Sequence, residues 1–283
     1  MATSVSERIS AARQSLFVGR IEERAFFSSA IEGKSWPYSV LHICGPGGVG
    51  KTTLLHDFAA SCKARQVFVA SIDARHITPE PESFLEALAY ALVLPVEKSP
   101  IEFLNRQTDR FVILVDVAEL LAPLDDWLRE SFLPQLPDTT LLILAGRHRP
   151  NVAWNSDAGL GSLMHTLALR NLEPSESRDY LARRNIPGSR HHSILEFTHG
   201  HPLALVLICD LFSQGDSFHF EPLESPDIVR ALLERIVQDV PSTSHRQALE
   251  ACAVVRVMTE PLLATMLGVL EEELLEVEVL IFP

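Results

Sequence analysis

Between Gly45 and Thr53 the chain reads Gly-Pro-Gly-Gly-Val-Gly-Lys-Thr-Thr, and this stretch restricts the fold more than any other. It satisfies G-x-x-x-x-G-K-[ST], with an apolar run (Ser39 to Cys44) before it and helical spacing from about Lys51 to Lys63 after it. The glycines let the backbone curl so that successive N–H groups point inward, where a side chain would intrude. The helix that follows adds the positive end of its dipole. Such a loop is built for the phosphates of a nucleotide. Pro46, Gly47, Gly48, Val49, Gly50 and Thr53 are expected to cradle them, Lys51 to reach the β- and γ-phosphates, and the Thr52 hydroxyl to ligate Mg²⁺.

Further short aliphatic runs follow at Val67 to Ile72, Phe111 to Val115, Leu141 to Ala145 and His165 to Leu169. Helical spacing separates them, in Ser83 to Leu94 and from about Glu119 to Phe132. Continuous apolar runs between helices indicate strands buried on both faces, so the spacing predicts an α/β fold with a parallel sheet. Upstream, a polar lead-in precedes a helix over Ile21 to Ile31 that Gly33 ends. After Leu172 the pattern turns helical, in Glu176 to Arg184, Ser193 to Thr198 and Pro202 to Phe212. A turn-rich loop (Gln214 to Pro226) leads to further helical stretches at Ile228 to Gln238, His245 to Val255 and Glu260 to Leu267. The expected domains are a lead-in (1–15), a P-loop domain (16–172), a small helical domain (173–215) and a helical remainder (216–283).

A Mg²⁺-associated carboxylate belongs at the end of a neighbouring strand, and Asp116 closes the run Phe111 to Val115. Hydrolysing relatives of such proteins often carry a second acid directly after it. Here that residue is Val117, and Glu119 is the nearest acid that could orient water. Arg147 follows the Leu141 to Ala145 run, and its guanidinium matches a γ-phosphate in a bidentate way.

The chain is 47% hydrophobic and 22% charged, too apolar for a disordered protein. Its net charge is −13, and residues 216–283 hold 13 acids against 4 bases, so −9 of the total sits there. That balance repels a phosphate backbone and argues against a nucleic-acid partner. The four cysteines (Cys44, Cys62, Cys209, Cys252) form no CxxC pair and read as buried hydrophobes in a reducing compartment. Met1 to Gln14 has no apolar signal-peptide core, and no stretch approaches ~18 uninterrupted apolar residues. The expectation is a cytoplasmic protein with no membrane partner.

Four segments together resemble the STAND class of P-loop ATPases, the signal-transduction NTPases that include apoptotic-ATPase, NACHT and bacterial maltose-regulator-like families. Leu16-Phe17-Val18-Gly19-Arg20 with Glu22-Glu23 resembles their segment before the P-loop strand. Asp116-Val117-Ala118-Glu119 resembles their Mg²⁺ strand, Ala145-Gly146-Arg147 their first sensor, and Gly200-His201-Pro202 the Gly-x-Pro of their helical domain. The strand between the P-loop and the Asp116 strand resembles the additional-strand group of P-loop ATPases. The resemblance covers about residues 16–270. It implies that Val18 and Arg20 line the adenine and ribose side and that Pro202 closes over the base. The region after residue 216 would begin a winged-helix domain, which the chain ends before completing, as in part of a longer architecture. The activity implied is an ATP/ADP switch with slow Mg²⁺-dependent hydrolysis, associating with a protein partner or with itself in the ATP state. Two other readings stay open at this point: a P-loop phosphotransferase acting on a small acceptor, and a winged-helix DNA-binding regulator.

Overall fold

The computed structural model describes residues 5–95, 98–156, 158–213 and 260–268, together with Gln247 and Ala251. The chain divides into two compact units, Met1–Phe220 and Glu221–Pro283. In the first, helices α1 (Val5–Leu16) and α2 (Ile21–Glu32) precede β1 (Val40–Cys44) and α3 (Lys51–Ala64). Next come β2 (Phe68–Asp73), α4 (Pro81–Ala91), α5 (Pro100–Asn105) and β3 (Phe111–Asp116). An irregular helical segment that contains α6 (Asp125–Trp127) leads to β4 (Thr140–Gly146). The short helices α7 (Val152–Ser156) and α8 (Ala158–Ser162) then lead to β5 (Met164–Ala168).

All five strands are parallel, in the order β2-β3-β4-β1-β5, as the aliphatic runs predict. The register sets Cys44 beside Gly146 and Asp116 beside Ala145, so the three loops after β1, β3 and β4 leave the same edge of the sheet. Every residue of β1 and β4 is buried, while β2 and β5, at the two sides, are part-exposed. Alternate side chains serve two cores. Leu41, Ile43, Val112, Leu114 and Ile143 meet α2 and α3, where Phe58 stacks on Phe27 at 4.0 Å. Ile113, Val115, Leu142 and Leu144 face the other way, toward Phe84, Phe132 and Trp154.

Some expected helices differ. Helix α4 stops at Ala91 rather than Leu94, because Pro95 disfavours helical geometry before it and Val93 turns left-handed (φ 57°). The stretch from Glu119 to Phe132 is no continuous α-helix: it runs as 3-10 turns (Ala118–Leu124), α6 and one π-turn (Leu128–Phe132). Pro123 lacks the N–H and crowds the preceding turn, which accounts for the break. Helices α5, α7 and α8 add to the expected set. A signal for α5 lies in Ser99-Pro100, since Ser99 caps the amide of Glu102 at 3.4 Å and Pro100 takes the first helical position.

Three helices complete the first unit: α9 (Pro174–Arg183), α10 (Gly188–Thr198) and α11 (Pro202–Ser213), packed on one another. In the second unit α12 (Glu260–Leu267) is described, with Leu263 and Ala264 buried. The expected loop at 214–226, the helix at 228–238, most of that at 245–255 and the winged-helix reading lie outside the described residues. No helix among the described residues is long and apolar enough to cross a membrane.

Removing the Phe58 ring should cost about 3–5 kcal/mol in Phe58→Ala, read as a lower denaturant midpoint at unchanged m. His42 in β1 is buried, and burial pushes its pKa down to about 4. The unfolded chain takes up that proton near pH 6.5 and the folded one does not until about pH 4. Stability carried by neutral His42, about 3 kcal/mol, should therefore fall as pH drops through that window. Denaturation of wild type beside His42→Phe should show the wild type losing more over this range.

Candidate functional site

The strand-to-helix turn after β1 places Lys51 as the first residue of α3, reached through Gly50 at φ 102°. Lys51 Nζ donates to the carbonyls of Gly45 at 2.6 Å and Pro46 at 3.0 Å, which holds the ammonium inside the loop. Burial lowers its pKa, an effect opposed by the Glu119 and Asp116 charges and reinforced by Arg147. The four charged residues picked out from the sequence therefore share one electrostatic neighbourhood.

Thr52 Oγ1 donates to Asp116 Oδ2 at 2.7 Å. A hydroxyl and a carboxylate oxygen side by side are the hard donors that a divalent cation takes, so the two residues fit Mg²⁺. The other Asp116 oxygen accepts the Val117 amide at 3.0 Å. Val117 itself is left-handed (φ 56°, ψ 41°), an unfavourable state for a β-branched residue. That reversal brings the acid two residues on, Glu119, over the end of β4. Its carboxylate pairs with Arg147 Nε at 3.1 Å and accepts the Arg147 amide at 3.3 Å. Glu119 and Arg147 are thus joined to each other, which their spacing in the sequence does not reveal.

A second group of residues surrounds a cavity of about 110 Å³ on the other side of the loop. Val18, Arg20, Val49, Gly50, Thr53 and Pro202, all marked from the sequence, line it, and Tyr180 and Leu205 join them. Arg20 is buried; its Nη2 donates to the Val49 carbonyl at 2.7 Å and its Nη1 lies 3.3 Å from Glu23. Glu176 of α9 was missed by sequence reasoning. One of its oxygens accepts the Arg20 amide at 3.1 Å and the other the Glu173 amide at 2.9 Å. Arg183 of the same helix donates to the carbonyls of Ser15 and Phe17, both at 3.0 Å. Helix α9 therefore holds the segment that forms one wall of the cavity.

The start of α11 rests on the loop. The Leu203 amide donates to the Gly48 carbonyl at 3.2 Å, and His201 Nε2 lies 3.1 Å from the Gly47 carbonyl. A carbonyl only accepts, so that ring nitrogen carries the proton. Burial lowers the His201 pKa, partly offset by this hydrogen bond. Gly48 (φ 74°) has no room for a side chain, since a Cβ there would lie 2.7 Å from Leu203 Cβ. Pro46 and Gly47 occupy the exposed outer turn of the loop, away from the cavity.

No protein-family model and no curated protein matches the chain. Solved structures do. The Orc1 protein of Aeropyrum pernix, in complex with DNA, is 17% identical over 90% of this chain and 80% of its own, with a TM-score of 0.56. Cdc6p from Pyrobaculum aerophilum is 15% identical over 92% and 84%, with a TM-score of 0.54. A variant of RuvB from Thermotoga maritima is 18% identical over 92% and 86%, with a TM-score of 0.50. At such identities the likeness is one of fold. The chain has the α/β P-loop NTPase fold, built on a five-stranded parallel sheet.

The left-handed Val117 yields a testable consequence. Val117→Gly relieves the strain and should raise stability by about 1 kcal/mol, where glycine inside a strand or helix ordinarily lowers it. A lower denaturant midpoint in this variant would mean that packing of the valine outweighs the strain.

Proposed function

We propose that this protein is an ATP/ADP-binding switch with slow Mg²⁺-dependent hydrolysis, of the STAND type that its sequence resembles. The observation that carries the proposal is the seating of α11 on the phosphate loop, through Gly47 and Gly48, with Pro202 over the cavity that Val18 and Arg20 line. A nucleotide held there touches both the sheet domain and the helical segment, so its phosphates can bias how the two associate. A switch needs this, because a ligand shifts an equilibrium only as far as it binds the two states differently.

In this reading the cavity takes the base and the loop the phosphates. Lys51 leaves the Gly45 and Pro46 carbonyls to neutralise the β- and γ-phosphates, and Thr52 and Asp116 hold Mg²⁺. The ion would supply charge neutralisation to the phosphates. Arg147 is the γ-phosphate sensor. Since it starts paired with Glu119, a γ-phosphate that draws it away also frees the Glu119 carboxylate to orient water. Turnover is slow because that acid must first be released. ATP favours association with a protein partner or a second copy, and the setting is cytoplasmic. Nucleic-acid binding has the DNA complex of the Aeropyrum protein on its side and the net charge of −13 against it. A shift on a DNA gel at low salt would favour it.

The test is to denature freshly purified protein and identify the released nucleotide by chromatography. Near-stoichiometric ADP in wild type and none in Lys51→Ala is the expected result. Wild-type protein that emerges empty and takes up no ATP would sink the proposal. Glu119→Gln should retain nucleotide while ATP turnover falls about 10²-fold or more, measured as phosphate release. Unchanged turnover would remove Glu119 from the chemistry.

A further inference from the structure

The peptide that joins Gly47 to Gly48 is held at one end only. Its carbonyl, that of Gly47, accepts from His201 Nε2 at 3.1 Å. Its N–H, that of Gly48, makes no hydrogen bond among the described residues, and Gly48 is exposed. The next peptide is held at its carbonyl too, where Gly48 accepts the Leu203 amide at 3.2 Å. The N–H of that peptide, on Val49, lies 3.4 Å from the Pro46 carbonyl, the oxygen that Lys51 Nζ meets at 3.0 Å. A trans peptide sets its C=O and N–H on opposite sides of the chain. Both carbonyls therefore face α11, and both amides face away from it. For Val49, that is the side on which the Lys51 ammonium lies. The half-buried His201 ring rests on this turn, since a Cβ on Gly48 would lie 2.9 Å from its Cε1.

Successive amides turned to one side of a loop form a concavity that takes an oxyanion. A hydrogen bond accepted at a carbonyl polarises the whole peptide, so the N–H at its other end becomes a stronger donor. We propose that His201 is a positioning residue for the nucleotide phosphates: it holds the Gly47 carbonyl so that the Gly48 N–H is aimed and polarised for a phosphate oxygen. The Leu203 amide does the same for the Val49 N–H. The effect runs both ways, because coupling between two sites is reciprocal. A phosphate that accepts from Gly48 makes the Gly47 carbonyl a better acceptor and tightens its bond to His201. Helix α11 thus responds to the phosphates through one peptide unit, without touching them. An aliphatic side chain at 201 could seat the helix but would donate nothing. This inference rests on the nucleotide reading and assigns part of its coupling to one side chain.

Equilibrium dialysis of the full chain, freed of nucleotide, against Mg²⁺-ADP and against adenosine tests this. His201→Leu should bind ADP about 5- to 10-fold more weakly than wild type, with its affinity for adenosine, which has no phosphate, changed less than about twofold. His201→Gln, which supplies an N–H donor again, should restore ADP binding to within about twofold of wild type. The proposal is overturned by His201→Leu that binds ADP as wild type does, or by His201→Gln that is no better than His201→Leu. An equal loss for adenosine also overturns it, because His201 would then serve only to seat Pro202 over the base. If adenosine binds wild type too weakly to read, the Leu and Gln variants decide alone. Wild type that binds no ADP would overturn the nucleotide reading and this inference together; wild type that binds it beside an unaffected His201→Leu would overturn this inference only.

Discussion

Two backbone carbonyls, those of Gly47 and Gly48, carry the contact on which the arrangement of the first unit depends. The Gly45 and Pro46 carbonyls turn toward Lys51, whereas those of Gly47 and Gly48 turn outward, to the helical segment. The outward ones are met by the His201 ring and the Leu203 amide. Leu203 stands in the first turn of α11, where amides have no partner within the helix. Each side thus supplies what the other lacks. Pro202, which precedes it, has no N–H to leave unpaired. On the loop side the join uses main-chain atoms alone, and close approach excludes side chains at Gly48 and likewise at Gly200, where a Cβ would collide with the Leu172 carbonyl.

Much of this was legible in the sequence. The five aliphatic runs became the five strands, most plainly β1, β3 and β4, because a strand buried on both faces must be apolar throughout and so leaves an uninterrupted mark. The loop was equally plain, since its glycines and Lys51-Thr52 sit at fixed offsets. Val18, Arg20 and Pro202 were marked by resemblance, and they line one cavity although most of the chain separates them.

What stayed hidden depends on contacts without a local signature. Glu176 reads as an ordinary acid near a helix start, yet its carboxylate meets an amide 156 residues away. Nothing around Val117 announces a left-handed residue; the usual signals are glycine or asparagine. Without that turn, Glu119 and Arg147 look like separate candidates rather than a bonded pair. The segment between β3 and β4 has helical spacing, and Pro123 alone hints that it cannot be one regular helix.

Helix α9 has a mechanical consequence. Through Glu176 and Arg183 it grips residues 15–20, and it packs against α10 and against α11, whose start carries the contact to the loop. The wall of the cavity and its cover therefore hang from one three-helix body. Lifting the cover pulls on the wall, so neither yields by itself. A molecule enclosed there would leave only when several bonds break together, which gives long residence and turns exchange into an infrequent, all-or-none event.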